Sequence, residues 1–321
     1  GSEPIPLPFL PFDEKKVVSS TGVLSLKSVP KKLLVVGAGV IGVELASVYR
    51  RLGSEVIIVE MLDRITPAMD NAISRALLQI LKKQGLVFHL GAKVLGAETA
   101  KNGVKLNVES PEGKVELQGD IALVAVGRRP YSEGLGLEAA GVEKDKRGFV
   151  VVNENFRTSQ SNIYAIGDLI DGSMLAHRAS EEGIAVAELL AGQKSHINYM
   201  IIPNVIYTHP EVAALGLTET EAREAGLSVK IGTSFFKGNA RARCTGYTEG
   251  LVKVIGEAQS GRLIGMHILG PHASEMIGEG VLAMGKKATI EEIARASHAH
   301  PTLSEAIMDA CLNALGRPIN Q

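Results

Sequence analysis

Uninterrupted apolar runs recur along the chain at residues 33–36, 56–59 and 121–126, built from Leu, Ile, Val and Ala without a polar break. Runs of that length fit strands buried on both faces of a parallel sheet. Residues 43–52 and 68–84 space their apolar positions as helices do, and Gly53 and Gly85 stand where each helix should stop. The first strand, helix and second strand make a βαβ unit of about 30 residues. Shorter strand-like runs follow at 86–90, 104–109 and 114–118, then extended segments at 149–152 and 163–166, and a helix over 178–191 ending at Gly192. From about residue 203 the order changes. Strand-like segments at 204–207, 228–236, 251–256 and 262–269 are followed by helices at 273–286, 290–296 and 302–315. Strands first and helices after predict an α+β domain behind an α/β one. Residues 1–23, punctuated by Pro4, Pro6, Pro8 and Pro11, look like a connector.

Composition narrows the chemistry. The chain has 321 residues, 45% hydrophobic and 21% charged, enough for a real core and two or three domains. Lys+Arg is 34 and Asp+Glu is 35, so no basic surplus points to nucleic acid or an anionic membrane. Trp is absent and Gly numbers 35, which suits nucleotide binding better than carbohydrate or single-strand recognition. Cys244 and Cys311 are far apart and form no CxxC, so neither a disulfide framework nor a zinc site is expected, and a reducing compartment is. No apolar run reaches the roughly 20 residues that span a bilayer, and residues 1–4 show no leader pattern.

Gly37-x-Gly39-x-x-Gly42, with Ala38, Val40 and Ile41 between the glycines, sits where the first buried strand meets its helix. The first glycine allows a tight turn, the second lets backbone approach a pyrophosphate, and the third lets helix and strand pack closely. The phosphates would sit at the positive end of the helix. Glu60 ends the next strand, placed to accept hydrogen bonds from a ribose 2′-hydroxyl and to repel a 2′-phosphate, which favours NAD over NADP. Arg64, four residues on, is one charge against that preference. Glu44 faces either the nicotinamide end or solvent; Gly127, after the last buried strand, is either a ligand contact or a turn glycine.

A second signature is more specific. Residues 158–168 (TSQSNIYAIGD) deliver Asp168 after a strand-like run and a glycine, where its carboxylate can accept from a sugar-alcohol chain. Met174, Leu175, Ala176 and His177 open the next helix, with backbone N–H groups for a ring or a phosphate. Together with the glycine fingerprint, Glu60 and Gly127-Arg128-Arg129-Pro130, this resembles the pyridine nucleotide–disulfide oxidoreductase family over essentially the whole chain. The resemblance implies a Rossmann-like NAD-binding domain at 24–147, the central part of an FAD-binding domain at 148–200 and a dimerisation domain at 201–321, with 1–23 connecting to an FAD domain. It also implies that Asp168 holds the ribityl, that residues 174–177 line the flavin, and that Val94 touches the adenine side of NAD.

Near the C-terminus stands His298-Ala299-His300-Pro301-Thr302-Leu303-Ser304-Glu305. Pro301 fits the first turn of a helix, leaving His300 at its entry, and Glu305 can fold back to an imidazole nitrogen. Thr302 and Glu305 equally spell a capping box. The string resembles the base–carboxylate motif of dihydrolipoamide dehydrogenases, which implies that His300 and Glu305 are catalytic, with His298 structural. Glutathione reductase-like relatives share the His-Pro-Thr frame but prefer NADPH. The resemblance further implies FAD and NAD as cofactors and no metal, a homodimer in which His300 serves the other subunit, and the lipoyl domain of a 2-oxo acid dehydrogenase complex as partner. It places the enzyme in a bacterial cytoplasm or a mitochondrial matrix. Such enzymes carry a first GxGxxG and a redox cysteine pair upstream of the NAD unit. Neither occurs here, so the chain is expected to be a truncated form, inactive alone, that binds NAD and dimerises.

Overall fold

The computed structural model describes residues 1–320. They fall into two compact units: Pro6–Ala125 with Pro203 onward, and Gly1–Ile5 with Val126–Ile202.

The first unit contains a five-stranded parallel sheet, ordered Val17–Val18, Ile121–Val124, Lys32–Val36, Glu55–Val59, Val87–His89. The apolar runs 33–36, 56–59 and 121–124 are buried on both faces, as their continuity predicts, but the strand of the third run stops at Val124 and Val126 is exposed. Leu33, Val35, Val56, Ile58, Ile121 and Leu123 point into one core cluster, while Leu34, Val36, Ile57, Val59, Ala122 and Val124 point into another. Helix Val40–Arg51 begins three residues earlier than the apolar spacing indicates, directly on the fingerprint. Helix Asn71–Lys83 begins later, because the Asp70 carboxylate caps it through the Ala72 N–H. Beside the sheet lies an antiparallel meander, Lys93–Ala100, Gly103–Ser110 and Gly113–Gly119. Its first strand has a weak apolar pattern and was not expected.

The same unit carries a five-stranded antiparallel sheet, ordered Asn204–Ile206, Glu211–Gly216, Leu263–Gly270, Leu251–Glu257, Val229–Phe235. The strand Glu211–Gly216 is also absent from the sequence reading. Its Ala-Ala-Leu-Gly run has little strand propensity, and burial against neighbours makes the strand. Ile206, Val212, Ala214, Leu251 and Leu269 join the cluster of the parallel sheet, so the two sheets share a core. Helices Ala273–Gly285, Ile290–Arg295 and Glu305–Ala314 follow. The last one lies against the edge strand at Gly232, where a Cβ would come within 1.9 Å of the Ala310 carbonyl oxygen. It starts at Glu305, so Pro301 lies ahead of the helix instead of in its first turn.

In the second unit, Ser2–Pro4 pairs antiparallel with Arg128–Pro130. The extended segments at 149–152 and 163–166 form isolated bridges, Lys144 with Val150 and Arg157 with Tyr164, without ladders. A 3-10 turn at Gly167–Leu169 and helix Ala176–Leu190 enclose a small core of Val142, Val150, Phe156, Ala165, Ile170 and Ala185. Among the described residues no helix is long and apolar enough to cross a membrane.

Candidate functional site

The three fingerprint glycines differ in what a side chain would meet. Gly37 turns at φ 104°, and its N–H donates to the Val59 carbonyl at 2.8 Å. Gly39 opens the helix with no side-chain cap, and a Cβ there would meet nothing within 4 Å. Gly42 is buried, and a Cβ there would lie 2.0 Å from the Gly37 carbonyl oxygen. The result is an uncovered helix N-terminus above an open space, held by a close helix–strand contact.

Glu60 is drawn to this loop. One carboxylate oxygen accepts from the Ala38 N–H at 2.6 Å and the other from the Leu62 N–H at 2.8 Å. The segment after Glu60 folds back as well, with the Thr66 N–H donating to the Ala38 carbonyl at 2.8 Å. Thr66 adopts a left-handed φ of 43°, uncommon for a β-branched residue, and its hydroxyl meets Ser74 Oγ at 3.0 Å. Arg64 is tied down by the Asn71 side chain and the carbonyls of Pro67 and Met69. Glu44 is half-buried and accepts from the Tyr207 N–H at 2.7 Å. Burial pushes its carboxyl above the ordinary range, with that N–H pulling the other way. Val94 is buried among the meander residues opposite Val108.

In the other unit, Gly127 has φ 138°, and its carbonyl accepts from the Ile5 N–H. Asp168 accepts from the Ser2 hydroxyl at 2.5 Å, and Arg128 donates to that same hydroxyl at 2.7 Å. Met174 and Leu175 are partly buried, Ala176 and His177 are exposed, and Leu175 stands at the entry of helix Ala176–Leu190.

Two residues that sequence reasoning missed hold this loop in shape. Glu182 is fully buried and accepts from the Gly167 N–H at 2.6 Å and the Tyr199 hydroxyl at 3.0 Å. Arg178, one turn earlier, lies 2.7 Å from it and donates to the carbonyls of Ser173 and Asp171. The loop carrying Asp168, Met174 and Leu175 is thereby pinned at both ends. An Arg and a Glu four residues apart on a helix read as a solvated ion pair, so only burial discloses their role.

The C-terminal pair is formed. His300 Nδ1 lies 2.9 Å from Glu305 Oε1, while Glu305 Oε2 accepts from the Thr302 N–H at 2.8 Å. The capping interaction and the histidine contact coexist, one on each oxygen. Only half of the capping box is present, because the Thr302 hydroxyl donates to the Ala299 carbonyl. Burial raises the Glu305 carboxyl, but the Thr302 N–H and His300 bring it below its ordinary value. His300 itself is 70% exposed at the side chain. Of the two free cysteines, Cys244 is exposed and Cys311 is buried, where desolvation pushes its thiol up to about 12. Cys311 therefore stays a thiol at neutral pH and is a poor nucleophile.

The family model described as pyridine nucleotide-disulphide oxidoreductase matches residues 1–183, and the dimerisation-domain model of the same family matches residues 202–311. A dihydrolipoamide dehydrogenase of Chaetomium thermophilum is 50% identical over all of this chain, and a mitochondrial dihydrolipoyl dehydrogenase of Pisum sativum is 47% identical. The chain spans 64% of the length of each. Among solved structures, LpdA of Mycobacterium tuberculosis superposes with a TM-score of 0.89 at 27% identity, covering 97% of this chain and 67% of that one. The flavoprotein disulfide reductase RclA of Escherichia coli gives 0.89 at 29%, covering 97% and 71%. The chain belongs to the pyridine nucleotide-disulphide oxidoreductase family.

Proposed function

We propose that this chain supplies the NAD-binding and interface-forming portion of a dihydrolipoamide dehydrogenase, which oxidises protein-bound dihydrolipoamide with NAD+. The observation that carries the reading is the His300–Glu305 pair at 2.9 Å, with the imidazole exposed. A carboxylate on Nδ1 selects the tautomer that leaves Nε2 bare, a base able to take a proton from a thiol. His300 is that base and Glu305 its orienting partner. Residues 24–147 form the NAD domain, 148–200 the central part of an FAD domain and 201–321 the dimerisation domain, joined to residues 1–23 as connector. Through the last domain the protein forms a homodimer, and its substrate-bearing partner is the lipoyl domain of a 2-oxo acid dehydrogenase complex. The compartment is a bacterial cytoplasm or a mitochondrial matrix.

The residues present fit both cofactors. Open space at Gly39 and an uncapped helix N-terminus suit a pyrophosphate, held by backbone N–H groups of Val40, Ile41 and Gly42. Glu60 offers its remaining lone pairs to a ribose, Gly37 and Ala38 shape the turn beneath it, and Glu44 and Val94 are the further NAD contacts of this unit; Gly127 is assigned to NAD from its place after the last buried strand alone. Asp168 already accepts from a hydroxyl, the donor a ribityl chain provides, and Met174, Leu175, Ala176 and His177 line the flavin side. FAD, when bound, supplies the two-electron relay between thiol and nicotinamide chemistry. An NADPH-dependent reductase of the glutathione reductase type is the second reading. It is disfavoured because Arg64 spends its guanidinium on Asn71 and on backbone carbonyls.

Titrating NADH into the chain, followed by nicotinamide fluorescence, tests the cofactor choice. NADH should bind at least tenfold more tightly than NADPH, and Glu60→Gln should shrink that preference by about tenfold, or about 1.4 kcal/mol. Equal affinities in the unsubstituted chain would remove the NAD assignment. In a polypeptide of the relatives' length that contains this chain, His300→Gln should lower kcat/KM for dihydrolipoamide about 10²–10⁴-fold and leave NADH affinity alone. The same assay on this chain alone, with FAD added, separates the enzyme from a NAD-binding, dimerising unit without turnover.

A further inference from the structure

Behind the His300–Glu305 pair, the ring of His298 is held at both nitrogens. Nε2 lies 2.9 Å from Glu279 Oε1, on helix Ala273–Gly285, and Nδ1 lies 2.9 Å from the Ala296 carbonyl oxygen. A carboxylate and a carbonyl are acceptors only. A neutral imidazole donates to one of them and turns a lone pair toward the other; an imidazolium donates to both. The side chain is 7% exposed, so water has little room to substitute for either partner.

We propose that His298 is a standing imidazolium and a positioning residue for the proposed base, keeping Glu305 ionised so that its Oε1 stays an acceptor for His300. The charges around it support this. Glu279 faces it from one helix; Glu305 and Asp309 face it from helix Glu305–Ala314; His300 stands beside Glu305. Glu279 holds the ring above its ordinary value against the opposing effect of burial. Asp309 is buried, which raises its carboxyl; the Asn320 amide lowers it, Glu305 raises it and His298 lowers it. Without the imidazolium, Glu305 and Asp309 would repel each other with no cation but the exposed His300 ring beside Glu305, and Glu279 would lose its ring partner. Glu305 would then gain a proton more readily, and a protonated Glu305 no longer offers both oxygens as acceptors. The consequence for catalysis rests on the reading of His300 as base; the proton on His298 does not.

The test is NMR of the intact chain, labelled with ¹⁵N in histidine and ¹³C in glutamate, across pH. Both ring nitrogens of His298 should carry hydrogen at pH 7.5. In His298→Gln, the Glu305 carboxyl should titrate about 0.5–1 pH unit higher, the field of one removed charge several ångströms away. In Glu279→Gln, His298 should lose one ring proton by pH 7.5. A histidine that merely filled space could be replaced without moving the Glu305 titration. A bare His298 nitrogen at pH 7.5 in the unsubstituted chain, or an unmoved Glu305 in His298→Gln, overturns the proposal. Should that variant fail to fold, the ring-nitrogen measurement and Glu279→Gln decide it. A wrong catalytic reading would show instead as unimpaired turnover in His300→Gln.

Discussion

Replacing Lys253 with methionine is expected to destabilise the protein by about 3–5 kcal/mol, lowering its melting temperature by roughly 10 °C. Lys253 is 5% exposed and its ammonium reaches both oxygens of Asp70, at 2.9 and 3.0 Å, and Glu219 at 2.8 Å. Asp70 is 1% exposed. Burial alone would raise its carboxyl, but the Lys253 ammonium and the N–H groups of Ala72 and Glu219 bring it below its ordinary value. Methionine fills the space of the lysine stem and removes the charge, leaving a buried carboxylate without its cation. The double variant Lys253→Met, Asp70→Asn should recover most of the loss, because asparagine still caps the helix and carries no charge. Thermal denaturation of the three proteins measures this. Equal melting points for the lysine and methionine forms would show that the contact contributes nothing net.

The same seam sets an acid limit. His267, on the strand beside Lys253, has Nε2 3.0 Å from the Leu217 carbonyl, and burial holds its ring below the ordinary value of 6.5. A depressed folded-state value means that the unfolded chain binds the proton first, so stability falls as pH drops below about 6.5. Asp70 adds a second loss at lower pH, where the unfolded carboxyl protonates near 3.8 before the folded one does. Chemical denaturation at pH 7.5, 5.5 and 4 should show stability declining in that order, and a flat profile would contradict the assignment.

The second large effect is expected at the fingerprint. Gly42→Ala places a Cβ 2.0 Å from the Gly37 carbonyl oxygen, a backbone atom that cannot swing aside. Helix Val40–Arg51 must back away from the strand or the Gly37 turn must open, at a cost of about 1–3 kcal/mol. Either movement turns the helix N–H groups away from the proposed pyrophosphate position, so NADH affinity should fall at least tenfold, about 1.4 kcal/mol. Gly39→Ala is the contrast. Its Cβ meets nothing within 4 Å, so melting should hardly change, while a methyl in the space proposed for the pyrophosphate should still weaken NADH. Loss of both properties at Gly42 and of binding alone at Gly39 separates packing from ligand contact. Unchanged NADH affinity in Gly39→Ala would move the pyrophosphate elsewhere.

The chain's own order of residues was enough for four of the five strands of the parallel sheet and for its glycine turn; the edge strand Val17–Val18 lies in the segment that reads as a connector. A strand buried on both faces must be apolar at each position, and such a run is visible without coordinates, as at residues 33–36 and 56–59. Spacing also placed Glu60 at the end of the strand that pairs beside the glycine loop, and Glu305 five residues from His300; the first contact follows from two parallel strands ending together, the second from one short stretch of backbone. What tertiary structure alone decided lies where the partner is remote or the residue is atypical. Glu211–Gly216 is a strand because neighbours on both sides complete its ladder, not because alanine favours one. Lys253 and Asp70 are separated by 183 residues, and Arg178 and Glu182 look like surface charges until burial makes them clamps. Local pattern records which backbone shapes and neighbouring contacts a segment favours; which charges end up beyond the reach of water depends on how distant segments pack, and no stretch of sequence contains that by itself.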